Sequence, residues 1–288
     1  MTSIANTSNG ERHKALALVL PAVLWTAAFF VVPFAFMAAM SLWKRVGTKT
    51  LQTWSLDNYA DFFAKSHFFD GLLNSLEITL AVTLLSVLFA YPLAWIIAMR
   101  VPERWQRAAL LLAILPFWTS YVVRSYAWML VLGRSGIINQ GLMSVGIIDA
   151  PLELASTRTA TIIGFVHFFV MLLTLTIYAN LKQLSPNYAR AAADLGASPL
   201  RTFIHVILPL TVPGIMVGAF LTFALCIGDY ITPQILGGNN ELVLPQIIML
   251  QIGRRADLPA ASALAIILML IVSLVYLLCA RWLKLERA

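Results

Sequence analysis

Six long apolar stretches follow one another along this chain, and shorter segments between them hold most of the charged residues. A helix needs roughly 20 mostly apolar residues to cross the ~30 Å hydrocarbon layer of a bilayer. None of the stretches alternates polar and apolar residues over ten positions, as a lipid-facing barrel strand would. The pattern therefore predicts six transmembrane helices, near residues 15–42, 78–99, 108–132, 160–181, 211–231 and 260–283.

Composition supports an environment of lipid. The chain has 288 residues, of which 60% are hydrophobic and 11% are charged. This is too few polar residues to cover a water-soluble core of that size. We therefore expect an all-α, polytopic membrane protein, with a tail at residues 1–14 and one transmembrane domain at residues 15–288.

The basic residues are distributed unevenly among the connecting segments. If the N-terminus is cytoplasmic, the inner segments contain eleven Lys and Arg residues against four Asp and Glu, an excess that equals the formal net charge of +7. An excess of Lys and Arg marks the cytoplasmic side. We expect both termini in the cytoplasm of a bacterial cell, three longer loops outside, and no nucleic acid partner.

The sequence contains no pattern typical of an enzyme. The phosphate-binding string G-x-x-x-x-G-K-[ST] does not occur. The four His residues are scattered, and Cys226 and Cys279 lie inside apolar stretches without metal-ligand spacing. We expect no catalytic residue, no metal site and no cofactor in this chain, so the energy for any work must come from a partner or an ion gradient.

The segment at residues 182–210, here called the inner loop, has internal structure. Ser185 and Ser198 are each followed by a proline, which is the pattern of a helix N-cap before a first-turn proline. Gly196 lies where the first helix should end in a left-handed turn. The pattern predicts two short helices joined at Gly196. An amphipathic helix resting on the membrane is the alternative.

The inner loop resembles the EAA loop of bacterial ABC-importer permeases, whose pattern is E-A-A, three residues, Gly, nine residues, then I-x-L-P. Arg190 departs from it, because the family usually has Glu there. In such permeases this loop is a coupling helix that docks in a groove of the ATP-binding subunit. The resemblance implies that role for Arg190, Ala191, Ala192, Asp194 and Gly196. The residues in register are Ala191, Ala192, Gly196, Val206, Leu208 and Pro209.

A second resemblance covers most of the chain. The strings PFWTSYVVRSYAW at 116–128, GIINQGL at 136–142 and GDYITPQILGG at 228–238 resemble the ABC-importer subfamily that moves spermidine, putrescine and related amines. It implies the type I importer permease fold, an inner-membrane location and import of a small amine from the periplasm. It also implies a second, different permease subunit, two ATPases that bind ATP and Mg, and a periplasmic substrate-binding protein. The alternatives are a permease for an opine or another amino compound, and an ion-coupled secondary transporter.

Aromatic and ionisable residues occur in the outer part of the predicted third and fifth spans. Four residues of the third span recur at i, i+3, i+7 and i+10 and would share one face of a continuous helix. Aromatic faces attract organic cations, so we expect a translocation path, with an outer aromatic belt as the alternative. Arg124 and Asp229 fall at similar depth and could pair, either as an outer gate or as a structural ion pair. The predicted path residues are Trp118, Tyr121, Arg124, Ser125, Trp128, Asp229 and Tyr230.

Overall fold

The computed structural model describes residues 17–238 and 241–283, and this part of the chain is helical apart from one β-hairpin. The predicted tail at residues 1–14 lies outside the described residues. The hairpin pairs β1 (Lys44–Val46) with β2 (Lys49–Leu51). The helices are α1 (Ala17–Ser41), α2 (Asp57–Ala64), α3 (Ser66–Arg100), α4 (Glu103–Trp118), α5 (Tyr121–Leu132), α6 (Ile137–Ser144), α7 (Arg158–Gln183), α8 (Asn187–Asp194), α9 (Pro199–Ile227), α10 (Ile231–Leu236), α11 (Leu244–Leu250) and α12 (Leu258–Leu283).

The predicted all-α membrane fold is confirmed. Within the described residues, α1, α3, α7, α9 and α12 are each long and apolar enough to cross a membrane. The count reaches six if the bent pair of residues 103–118 and 121–144 forms one span. Several boundaries differ from the prediction: α3 begins well before residue 78, and α9 runs from Pro199 to Ile227 rather than from 211 to 231.

The third span is broken, and the prediction that four of its residues share one helical face is wrong. The helices on either side of Thr119 and Ser120 are bent by 90°. Both residues adopt extended backbone, with ψ of 148° and 135°. The Thr119 hydroxyl donates to the Pro116 carbonyl at 2.7 Å, a local bond that competes with helix continuation. Trp118 therefore does not share a helical face with Tyr121, Ser125 and Trp128.

The described residues fall into two compact units. The first contains 17–64 and Leu250–Ile266, and the second contains 65–238, 241–249 and 267–283. In the second unit, α3, α7 and α9 pack around a buried apolar core. The helices approach closely, since a Cβ at Gly218 of α9 would lie 2.7 Å from the Leu173 side chain of α7. The core cluster at one end of these helices comprises Ala90, Tyr91, Ala94, Ala98, Leu173, Ile177, Leu181 and Ile207.

Polar contacts at the end of α1 organise the first unit. The Asn58 amide nitrogen donates to the carbonyls of Ser41 and Trp43 at 2.7 and 2.8 Å. Lys44 and Asp57 form an exposed ion pair at 2.8 Å. Their hydrogen bond raises the pKa of Lys44 and lowers the pKa of Asp57. The most apolar window of α1 buries none of its residues within the described chain, as suits a helix surrounded by lipid or another subunit.

Candidate functional site

The inner loop contains one of the two predicted short helices, α8, while the predicted second one is the first part of the long helix α9. Ser198 caps α9: its Oγ accepts from the Arg201 N–H at 3.4 Å, and Pro199 is the first helical residue. The Ser185 Oγ accepts from the Asn187 N–H at 3.3 Å. The first helix, α8, therefore starts at Asn187, one residue later than the Ser-Pro pattern predicts.

Gly196 has the left-handed conformation that the sequence predicts. Its φ is +80°, a region that costs L-residues with a Cβ roughly 1–2 kcal/mol. The Gly196 N–H donates to the Ala193 carbonyl at 2.9 Å, and the Ala197 N–H donates to the Ala192 carbonyl at 3.0 Å. These two bonds satisfy carbonyls at the end of α8 and fix the direction in which the chain continues.

The surface of α8 is unusually open for a helix with apolar residues. None of its residues is buried within the described chain. Leu195 is 89% exposed and Tyr188 is 51% exposed. Leu200, in the first turn of α9, is 67% exposed. The exposed apolar side chains lie beside the five residues to which the resemblance assigns the coupling role, Arg190, Ala191, Ala192, Asp194 and Gly196.

A second group of predicted residues meets where α9 ends. Asp229 accepts from the Ile231 N–H at 2.8 Å and from the Thr232 N–H at 3.4 Å, so it fixes the start of α10. The Tyr121 hydroxyl donates to Asp229 and accepts from the Thr232 hydroxyl. We call Tyr121, Asp229 and Thr232 the outer cluster. It joins α5 to the connection between α9 and α10.

Arg124 has other partners. It is buried, at 7% exposure, and donates to the Pro116 carbonyl at 3.2 Å. Its guanidinium carbon lies 4.7 Å from the centre of the Phe168 ring and 5.5 Å from that of Tyr121. Within the described residues, the ion pair with Asp229 that the sequence left open does not form. The Pro116 carbonyl, at the helix break, also accepts from the N–H and the hydroxyl of Thr119, so Arg124 adds a third donor to it.

The remaining predicted path residues do not form one surface. Ser125 is buried and donates to the Tyr121 carbonyl at 3.1 Å. The Trp128 indole N–H donates to His167 Nδ1 at 3.0 Å. Trp118 is 75% exposed and lies on the other arm of the broken span. Tyr230, beside Asp229, is exposed. Tyr121, Ser125 and Trp128 lie on one helix, while Trp118 lies on the other arm, so the predicted face of four residues does not form.

Sequence reasoning missed two contributors, Thr232 and Phe168. The spacing of Asp229 to the start of α10 is that of an Asx turn, in which the side chain accepts from the N–H two residues later. That signal could have indicated Thr232, which lies in the first turn of α10. Phe168 carries no signal in sequence, because a lone Phe in an apolar span is indistinguishable from core.

The space beside Asp229 is small and has mostly apolar walls. A cavity of about 10 Å³ is lined in part by Ser75, Thr79 and Asp229, which is room for about one water molecule. Among the described residues, no group of three His, Cys, Asp or Glu side chains could hold a metal ion. The chemistry that this cluster offers is hydrogen bonding and a negative charge.

Comparison with known proteins places these features in context. The family described as "Binding-protein-dependent transport system inner membrane component" matches residues 90–285. The chain is similar to the spermidine/putrescine transport system permease protein PotB of Salmonella typhimurium (strain SL1344), with 32% identity over 262 residues, 91% of each chain. PotB of Escherichia coli (strain K12) is 31% identical over 261 residues, covering 90% of this chain and 94% of that protein. A crystal structure of a bacterial ABC transporter involved in the import of the acidic polysaccharide alginate contains a chain that matches with a TM-score of 0.81 at 17% identity, covering 99% of this chain and 100% of that one. That likeness confirms the predicted permease fold.

Proposed function

Because this chain belongs to the family of binding-protein-dependent transport system inner membrane components, we propose that it carries a small polyamine-like amine through the inner membrane as one permease subunit of an ABC importer. The observation that supports this substrate is the similarity to spermidine/putrescine permeases, at 31–32% identity over about 90% of the chain. The amine enters from the periplasm and leaves into the cytoplasm.

The proposed assembly supplies what this chain lacks. The sequence holds no phosphate-binding loop, so two separate ATP-binding subunits bind ATP and Mg. A periplasmic substrate-binding protein delivers the amine, in keeping with the family's description. A second, different permease completes the path. The exposed apolar surfaces of α1 and α8 support contacts with other subunits or lipid.

The proposed coupling element is α8. Its small face at Ala191 and Ala192 allows close approach by a groove of the ATP-binding subunit, while the exposed Tyr188 and Leu195 provide apolar area to bury. Gly196 sets the angle between α8 and α9. Asp194 lies in the last turn, on the same exposed helix. Arg190 supplies a positive charge where the family usually has a negative one.

The proposed outer gate is the outer cluster. The Tyr121 hydroxyl of α5 donates to Asp229, which lies between α9 and α10. The start of α5 therefore cannot separate from this connection without losing the bond. Once the Tyr121 hydroxyl is released, the Asp229 carboxylate could attract an amine. Tyr230, next to Asp229 in sequence, and Trp118, at the end of α4, both have exposed rings. Arg124, Ser125 and Trp128 are positioning residues in this proposal, because each contacts a backbone carbonyl or another side chain within the helices.

Uptake measurements test the substrate class. The chain, its partner permease, the ATP-binding subunit and the receptor are expressed in a strain without polyamine import, and uptake of labelled spermidine and putrescine is followed. We expect uptake that stops when the ATP-binding subunit is inactivated by a phosphate-loop substitution. Absence of labelled spermidine and putrescine uptake, in cells that do take up a labelled opine or amino acid through the same system, would contradict the polyamine assignment.

A labelling experiment tests the proposed orientation, with both termini in the cytoplasm. Single cysteines at Thr48 and Ser144 should react with a membrane-impermeant maleimide in intact cells, and cysteines at Glu103 and Asn187 should react only after lysis. All four positions are exposed, so access to reagent depends on the side of the membrane. Background reaction is low, because Cys226 is buried and Cys279 is removed by substitution. Labelling at Asn187 in intact cells would contradict the coupling role of α8.

A further inference from the structure

Two neighbouring cavities at the base of the inner loop are bordered by basic side chains. The first, of about 510 Å³, lies between the start of α4 and the end of α7. The second, of about 460 Å³, lies between the ends of α3 and α7, the start of α8 and the inner part of α9. Lys182 lines both. The lining of the first cavity is Glu103, Arg104, Gln106, Arg107, Tyr178 and Lys182.

The two cavities differ in character. Three cations and a single acid line the first. The second has largely apolar walls with Arg190 and Lys182 among its lining residues. A basic cavity and an apolar cavity that share Lys182 in their walls would suit an amphipathic molecule with an anionic head group. The apolar lining residues include Ala98, Met99, Leu181, Leu184, Ile207 and Leu210.

The cations here lack carboxylate partners within the described residues. Arg104, Arg107, Lys182 and Arg190 take part in none of the ion pairs found there. Lys182 instead donates to the Gln106 Oε1 at 3.1 Å. Gln106 is buried and donates to the Ala98 and Val101 carbonyls, each at 3.0 Å. The protein thus holds one ammonium group in place without neutralising it.

We propose that these cavities bind an anionic phospholipid, with its phosphate between Arg104, Arg107 and Lys182 and an acyl chain in the apolar cavity. Basic pockets at the cytoplasmic ends of spans attract anionic lipid headgroups, each Lys or Arg contributing about 1 kcal/mol. Trp105, on the same turn of α4, is 58% exposed, as is typical of an aromatic side chain at the headgroup level. The inference goes beyond the proposed function. It rests on that function only for the orientation, which places the two cavities at the cytoplasmic leaflet.

The proposal also gives Arg190 a role. Arg190 borders the apolar cavity, on the side of the coupling helix, and adds a fourth positive charge near the bound phosphate. A bound lipid would therefore contact the end of α7 and the start of α8 at once, and the lipid composition of the membrane would influence how α8 is held.

The test uses the purified full-length chain in phosphatidylcholine nanodiscs that contain a minority of spin-labelled phosphatidylglycerol. We expect phosphatidylglycerol to be immobilised more than spin-labelled phosphatidylcholine. Arg104→Gln with Arg107→Gln should weaken this selectivity by about fivefold for each charge removed. Arg104→Lys with Arg107→Lys should retain most of it and shows that the variants fold. Lys49→Gln with Arg254→Gln removes the same charge at two residues that line neither cavity and should have no effect.

Three outcomes would overturn the proposal. The first is equal immobilisation of the two lipids by the unaltered chain. The second is an equal loss in the double variant and its charge-matched control. The third is displacement of the effect by inorganic phosphate, which would indicate a site for the free anion. For Arg190, the Arg190→Glu variant should also lower the selectivity. Unchanged selectivity with poorer co-purification of the ATP-binding subunit would instead assign Arg190 to the protein interface.

Discussion

Replacing Gly196 by Val is expected to reduce amine uptake more than tenfold while the protein still inserts in the membrane. Gly196 has φ of +80°, a conformation that a β-branched residue adopts only with strain. Among the described residues, apart from Gly196 and its two chain neighbours, no heavy atom lies within 4 Å of the position that a Cβ would take, so the effect comes from the backbone and not from a clash. The turn between α8 and α9 would open, and α8 would leave the groove of the ATP-binding subunit in which we propose that it docks. The measurements are uptake, receptor-stimulated ATP hydrolysis and membrane abundance.

The chain offers a matched control for this substitution. Gly146 also has positive φ, +71°, and open space around its missing Cβ, but it follows α6 in a different loop. Gly146→Val should store similar strain and leave ATP hydrolysis coupled to uptake. Equal loss of uptake in both variants would mean that backbone strain at any turn impairs the protein, and the coupling role of Gly196 would be rejected.

The second large effect is expected in the outer cluster. Tyr121→Phe and Asp229→Asn should each lower uptake and stability, and together they should cost much less than the sum. The Tyr121 hydroxyl donates to Asp229, and a hydrogen bond to a charged group contributes about 1.5–3 kcal/mol. Once either residue has been replaced, the hydrogen bond is already absent, so replacing the second residue removes little further stability. A double-mutant cycle, scored by unfolding of the purified protein and by uptake, measures this interaction energy.

A parallel cycle distinguishes this arrangement from an ion pair. Arg124→Gln with Asp229→Asn should give a clearly smaller interaction energy, because Arg124 donates to the Pro116 carbonyl. Tyr126→Phe removes a hydroxyl from an exposed ring on the same helix and should show no coupling to Asp229→Asn. An interaction energy for Arg124 and Asp229 as large as that for Tyr121 and Asp229 would contradict the structure.

The spans could be predicted because their signal is the length of an apolar run, which is local. The break in the third span could not. Pro116 lies at the break, yet Pro92 and Pro213 lie inside continuous helices, so proline by itself does not distinguish a kink from an interruption. What separates the cases is the extended backbone of Thr119 and Ser120.

The same division applies to the candidate sites. Gly196 was predictable, since serine, proline and glycine act on their immediate neighbours. The partner of Arg124 was not predictable, because its position along the span gives a depth in the membrane and no direction around the helix axis. In a continuous helix the Pro116 carbonyl would accept from the N–H of residue 120; at the break it accepts from Thr119 and Arg124 instead. The similar depth of Arg124 and Asp229 correctly placed them in one region. Tyr121 lies between them, since its hydroxyl donates to Asp229 and its ring contacts Arg124.

The continuity of α9 has a mechanical consequence. This helix runs without a break for 29 residues from Pro199 to Ile227, about 40 Å at the usual helical rise. Gly196 precedes one end and Asp229 follows the other. Near the first end, the Phe203 ring packs edge-on against Tyr91 and Trp95 of α3, with centroid distances of 5.8 and 5.1 Å. A continuous helix would transmit a tilt imposed beside Gly196 along its length, past its close packing with α7 at Gly218, to the end that Asp229 follows.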